Sequence, residues 1–410
     1  MGTTTYSQPL RRLAPLALAG VSLLVLANQA KAEDFKVAFK PAPQISSADG
    51  AYSFKIRGRV ETDFVVFDEA KGTRDFSNGT DMRSARIGVE GTIDSVWDYR
   101  AEVDFAGNGT SIKDAYLKYT GFDALAITVG HHKTPNSLER LTGGTNLTFP
   151  ERAMAVEAFT NGSNAGGDWK LGASVAHADK NWTLTGGVFG ETISITSADG
   201  VDEGYGYHAR GTVSPINGDG KLLHLGVSAY LREPGARGLV RFGDRPETRM
   251  DGGRIVDTGA IDADNYTLLA GEFIGAVGSA YVQAEYLRTD VNRIDPVNPD
   301  VNFDGYYITA AYYLTGESIP YSKGGIGRLA PKHNLGDGGS GAWQIAARYS
   351  TINLNDKDIL GGKADTYSVG LNWWANPYVR VLLDWSRFNS ERRGVDADGN
   401  VYAARFSVNW

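Results

Sequence analysis

Cysteine is absent from all 410 residues, so neither a disulfide framework nor thiol chemistry takes part in this fold. Long apolar runs are missing too. The nearest to one, Leu13 to Leu26, falls short of the roughly 20 residues a spanning helix needs, and nothing like it recurs downstream. Basic residues are the minority: 41 Lys and Arg stand against 48 Asp and Glu, a formal net charge of −7. No nucleic-acid partner is expected of such a chain, because phosphate contacts require clustered Lys and Arg. No G-x-S-x-G elbow, P-loop or zinc-ligand spacing occurs, and the six histidines are scattered. No catalytic activity, cofactor or metal is therefore expected.

What is present begins with an export leader. Arg11 and Arg12 form a basic segment, Leu13 to Leu26 an apolar one, and Ala30-Lys31-Ala32 an A-x-A site, which predicts cleavage between Ala32 and Glu33. The leader carries three basic residues and no acidic one, so the remainder is more acidic still, at −10. Residues 33–50 are expected to be a periplasmic N-terminal segment and residues 51–410 a barrel.

From residue 50 onward one pattern repeats: runs of about ten residues with alternating polarity, separated by turn-rich segments. In the first run Phe54, Ile56, Val60, Phe64 and Val66 share one face of a strand. Lys55, Arg57, Arg59, Glu61 and Asp63 share the other. Residues 97–105 repeat the design, with Trp97, Tyr99, Ala101, Val103 and Phe105 opposite Asp98, Arg100, Glu102 and Asp104. Alternation alone also fits a soluble sandwich. Three further features point to lipid instead. Aromatic residues gather near strand ends on the apolar parity, as at Trp182, Tyr205, Tyr207, Tyr367, Trp373 and Trp385. Short connections (121–124, 376–378) alternate with long polar ones (68–81, 133–152, 233–265). The sequence also ends in a strand pattern, Tyr402, Ala404, Phe406, Val408 and Trp410 against Ala403, Arg405, Ser407 and Asn409.

Alternating segments fall near 54–66, 82–92, 97–106, 113–120, 125–132, 168–177, 182–190, 205–214, 222–232, 266–274, 280–289, 306–315, 342–352, 366–375, 379–388 and 401–410. The expectation is an all-β protein: an antiparallel transmembrane barrel of about 16 strands in the outer membrane of a Gram-negative bacterium, wide enough for an aqueous channel.

Several stretches resemble the phosphate-selective porin O and P family. They are Phe54-Lys55-Ile56-Arg57-Gly58-Arg59-Val60, Met82-Arg83-Ser84-Ala85-Arg86, Tyr119-Thr120-Gly121-Phe122, Ser137-Leu138-Glu139-Arg140 and Tyr313-Leu314-Thr315-Gly316-Glu317, followed by Gly341-Ala342-Trp343 with Ala347-Arg348-Tyr349-Ser350, and Gly370-Leu371-Asn372-Trp373-Trp374-Ala375-Asn376. The resemblance implies a sixteen-stranded homotrimeric porin whose third extracellular loop folds inward and narrows the lumen; it does not by itself fix the transported ion, for which phosphate or a related small anion is the expectation. It also implies site positions. The family's first-strand lumen arginine matches Arg59. Its paired second-strand arginines match Arg83 and Ser84, so one cation is replaced here, while Arg86 stands where the family often has tyrosine. The central aspartate matches Asp114 and the loop lysine Arg140. Gly143 and Gly144 stand where small hydroxyl residues follow that lysine.

Arginine forks suit this task, because they match oxyanion geometry and stay charged at physiological pH. Rings or ladders of basic side chains let a pore favour anions. The candidate constriction is therefore Arg59, Arg83, Arg86, Asp114, Lys133 and Arg140, within or beside the long segment 133–152. Arg57, Arg100, Arg210, Arg348, Arg380 and Arg405 are expected to line the lumen. Lys323, Arg328 and Lys332, in a long turn on the periplasmic side, form a candidate exit. Two readings stay open. Either the arginines select anions, or Glu61, Asp63, Asp98, Glu102 and Asp104 neutralise them into the polar wall of a non-selective pore. An outer-membrane enzyme or adhesin would need a catalytic cluster or a plugged interior.

Overall fold

A computed structural model describes residues 35–39, 42–71, 75–107, 109–161, 168–190, 202–235 and 238–410. The expected cleavage site at Ala32 and Glu33 lies outside them. Sixteen antiparallel strands form one closed ring: β1 (Ser53–Lys71), β2 (Gly79–Ile93), β3 (Trp97–Asp104), β4 (Ser111–Phe122), β5 (Leu125–Lys133), β6 (Trp169–Ala178), β7 (Trp182–Phe189), β8 (Tyr205–Gly218), β9 (Lys221–Glu233), β10 (Asn265–Val277), β11 (Ala280–Asn292), β12 (Val301–Tyr313), β13 (Ala342–Asp356), β14 (Ile359–Trp374), β15 (Val379–Arg392) and β16 (Val395–Asn409). Each pairs with the next, and β16 closes on β1 through Val408↔Val60 and Ala404↔Phe64. Closure leaves the ring no open edge, which a sheet in hydrocarbon requires. Two short strands, Phe35–Ala38 and Gln44–Ser47, add a hairpin at the foot of β1.

The faces divide as the alternation predicts. On β1, Val60, Phe64 and Val66 are 40%, 46% and 53% exposed, whereas Glu61 and Asp63 are 2% and 7% exposed. Apolar groups outward and carboxylates inward invert a soluble sheet and match a wall with lipid outside. Cross-strand aromatic pairs, Trp97 with Tyr119 at 4.7 Å and Trp343 with Trp373 at 5.6 Å, stand near one rim. That rim holds tight turns such as Asp94-Ser95, Ala124, and Asp219-Gly220, several with left-handed backbones. It also holds the long connection 314–341. The opposite rim carries the long connections 134–168 and 234–264.

Several strands run farther than their apolar alternation, three of them at their starts. β12, β14 and β16 begin at Val301, Ile359 and Val395, ahead of the expected 306, 366 and 401. These extra residues lie toward the long-loop rim, where the outward side chains are Asn302, Asp304, Lys363, Asp365, Asp396 and Asp398. Above the lipid band the outer face meets water, so strand pairing continues without an apolar stripe.

The interior is less uniformly ionic than β1 and β3 suggest. Inward residues of β9 to β13, including Tyr230, Leu268, Leu287, Phe303, Tyr307 and Ile352, form a buried apolar cluster with Met154, Phe159, Phe242, Val256 and Ile261 of the two long connections. The helix α2 (Met154–Asn161) is part of it and lies against β11, β12 and β13. Gly305 on β12 allows that approach, since a Cβ there would stand 2.7 Å from the Cβ of Ala155. A cavity lies along the opposite part of the ring.

Candidate functional site

This cavity has a volume of about 850 Å³ and is lined chiefly by β1 to β5 and the 134–168 connection. Its wall runs from Arg57, Lys118 and Arg328 near the short-turn rim to Gly107, Arg245 and Arg249 near the other. Strand parity supplies most of the wall, and two β-bulges add to it. On β2 the register slips so that Glu61 faces Ser84 while Thr62 faces Met82, leaving Arg83 as the extra residue. A bulge lets two successive side chains point the same way, so Arg83 and Ser84 both face the lumen. The second slip lies between β3 and β4, where Ala101 faces Ala115 but Val103 faces Ile112. There Lys113 joins Asp114 on the inner wall.

Lower in the cavity the arginines are woven with carboxylates. Glu90 receives Lys55 at 2.9 Å, Arg57 at 2.7 Å and Arg100 at 2.8 Å. Arg86 bonds Asp104 at 2.8 Å and Glu102 at 3.1 Å, and Arg100 reaches Asp114 at 3.3 Å. Higher up, Arg405 holds Asp63 at 2.6 Å and Glu151 at 2.8 Å, and Arg83 pairs with the same Glu151. Burial opposes ionisation of Glu151, but Arg83 and Arg405 outweigh it and keep its pKa below the usual carboxylate value. Arg59 donates to Ser84 Oγ at 3.1 Å and stands 3.4 Å from Glu61. Its guanidinium also abuts Gly144, where a Cβ would come within 2.9 Å of it.

Trp169, the first residue of β6, organises a different group. Its indole N–H donates to Asp114 at 2.8 Å, which fixes the ring. Lys133, Lys113 and Arg86 lie 4.8, 5.2 and 5.3 Å from its centre. An indole attracts cations through its quadrupole without cancelling their charge. Lys113, Lys118, Arg245, Arg249 and Arg328 form no ion pair or side-chain hydrogen bond among the described residues.

The 134–168 connection is tied to inward-facing side chains. Glu285 of β11 accepts from the backbone N–H groups of Leu138 and Glu139, at 2.9 and 2.7 Å, at the start of the short helix α1 (Leu138–Leu141). Arg348 donates to the Glu151 carbonyl at 3.0 Å, Arg380 to the Thr145 carbonyl at 2.9 Å, and Arg405 to the Pro150 carbonyl.

Of the sequence-predicted site, Arg59, Arg83, Arg86, Asp114, Lys133 and Arg140 border one cavity with Arg57, Arg100 and Arg405. Arg140 borders the cavity with its side chain largely enclosed. It is 1% exposed and occupied with Glu157 at 2.7 Å, Asp168 at 3.2 Å and Thr160 at 2.6 Å, so it fastens α1 to α2. Arg210, Arg348 and Arg380 face inward as parity required, yet they are covered rather than part of the cavity wall. Arg210 is held by Glu272 at 2.6 Å and by the Gly324 carbonyl of the 314–341 connection at 2.7 Å. In the expected exit only Arg328 borders the cavity, and Lys323 and Lys332 are exposed outside it. Sequence reasoning missed Lys113, Lys118, Arg245, Arg249 and Trp169. Lys118 shares parity with Asp114 and was readable. Lys113 was hidden by its bulge, and Arg245 and Arg249 arrive on a loop with no periodicity to read.

The family model for phosphate-selective porin O and P matches residues 54–410. An uncharacterized protein of Caulobacter vibrioides is 32% identical over 399 residues, covering 92% of this chain and 77% of that one. Porin O of Pseudomonas aeruginosa is 26% identical over 411 residues, covering 91% and 92%. Among solved structures, the anion-selective porin from Comamonas acidovorans superposes with a TM-score of 0.57 at 13% identity, covering 87% of this chain and 99% of that chain.

Proposed function

Because the chain belongs to the phosphate-selective porin O and P family and is an outer-membrane channel barrel, we propose that it passes small anions in preference to cations, with phosphate or a related oxyanion as the favoured species. One observation carries this reading. Five cations bordering the cavity, Lys113, Lys118, Arg245, Arg249 and Arg328, form no ion pair among the described residues, in a chain whose net charge is negative. Concentrating the minority charge along one lumen wall raises the local anion concentration and repels cations. The unpaired Lys113, Arg245 and Arg249 supply donors that replace hydration, and Arg59, Arg83 and Arg86 continue the row inward. The residues around Gly143 and Gly144 form the narrowing, supported by their bonds to Arg380 and Arg405. Release follows toward Lys118 and Arg328. The channel is passive and needs no catalytic group or cofactor, and it works as a homotrimer.

The non-selective reading draws on the pairing of Arg57, Arg86, Arg100 and Arg405 with carboxylates. Chloride current through single channels separates the two. Phosphate added at fixed chloride is expected to reduce the unitary current in a saturable way and less so in Arg59→Ala. A current insensitive to phosphate in both channels contradicts the oxyanion site.

A further inference from the structure

We propose that the hairpin of residues 35–47 is a lipid-contacting element at the periplasmic membrane interface rather than a segment free in the periplasm. The barrel and its register place this hairpin, whichever ion passes through the pore.

Residues directly opposite in an antiparallel pair share a face. Val37 faces Ile45, and Ile45 in turn faces Phe54 of β1. Phe54 has the same parity as Ile56, Val60 and Phe64, the lipid side of β1. Phe35 and Phe39 share the parity of Val37. The hairpin therefore continues the outer apolar surface of the barrel sideways from its foot. Val37 is 62% exposed and Phe39 74% exposed. Lys36, Gln44 and Ser46 occupy the other face.

Height places this strip at the aromatic rim. Phe54 faces Gly91, which faces Tyr99, and the Tyr99 hydroxyl donates to the Ser53 carbonyl at 3.2 Å. Trp97, packed on Tyr119, is two residues away. Aromatic rings of this kind mark the boundary between hydrocarbon and headgroups. The lipid band already established on β1 thus runs unbroken into the hairpin, and a contiguous apolar strip is costly to leave in water. Backbone pairing fixes the depth. Phe35–Ala38 pairs only with Gln44–Ser47 among the described residues, so its other edge must reach water, which suits the headgroup layer and not the hydrocarbon centre.

The cysteine-free sequence makes the test direct. Val37→Cys, Ile45→Cys, Lys36→Cys and Ser46→Cys are each labelled with an environment-sensitive fluorophore in the full mature chain, reconstituted in phospholipid vesicles, with Ile87→Cys as the lipid-facing reference. Quenching by a lipid-borne nitroxide is expected at 37 and 45, as at 87, and aqueous iodide quenching at 36 and 46. Equal iodide quenching at all four hairpin sites overturns the proposal. Protection of 37 and 45 from both quenchers also overturns it, in favour of cover by a neighbouring copy of the chain.

Discussion

Arg140 and Arg249 illustrate how position decides the role of a guanidinium. Arg140 is enclosed by Glu157, Asp168 and Thr160, so its loss removes the cation that joins α1 to two partly exposed carboxylates on the cavity wall. Arg140→Ala is therefore expected to loosen the 134–168 connection, visible as increased open-channel noise and faster proteolysis there. Arg249 borders the cavity without an ion pair among the described residues. Arg249→Ala is expected to lower the anion-to-cation permeability ratio and leave noise and proteolysis unchanged. A reversal of these two phenotypes contradicts the assignment. Both arginines look alike in the sequence. Only the approach of α2 and β6 to Arg140 separates them, and those contacts are remote in the chain.

Among the elements, the strands were the most legible. A period of two, read from Phe54 to Asp63 and from Trp97 to Phe105, placed the inner and outer faces correctly, because a slip of one residue would turn charge toward lipid. The two bulges broke that rule locally. They turned Arg83 and Lys113 inward, where simple alternation puts them outside. The long connections were the least legible, since their apolar residues, Phe159, Phe242 and Val256, are buried against inner-wall positions supplied by distant strands. Their anchoring is sensitive to acid. Burial opposes ionisation of Glu151 and Asp168, but the neighbouring cations outweigh it and hold both pKa values below the ordinary range. A carboxyl that binds its proton less tightly when folded contributes stability above its unfolded pKa of about 4 and loses it as pH falls toward the depressed value. Channels held at pH 7 and 5 should behave alike, with a noisier, less restricted current appearing only as pH falls below about 4 toward the depressed values. A current that already becomes noisier between pH 7 and 5 would mean that these pairs do not hold the connection.

At the scale of the whole molecule, an acidic chain has brought many of its basic residues to one cavity wall and packed much of the remaining lumen with an apolar cluster and buried ion pairs. The pore is consequently off-centre, bounded by β1 to β5 and the 134–168 connection. Composition gave no sign of this, because the mean charge is negative and the surplus of Lys and Arg appears only when residues separated by hundreds of positions meet on one wall. On the proposed reading, ion preference is set by that wall and not by the net charge. The direct measurement is the zero-current potential of the reconstituted channel across a potassium chloride gradient. The account predicts a potential displaced toward the chloride equilibrium value, and shrinking toward zero when Lys113, Arg245 and Arg249 are replaced together by alanine. A potential at zero or on the potassium side for the unmodified channel would contradict it.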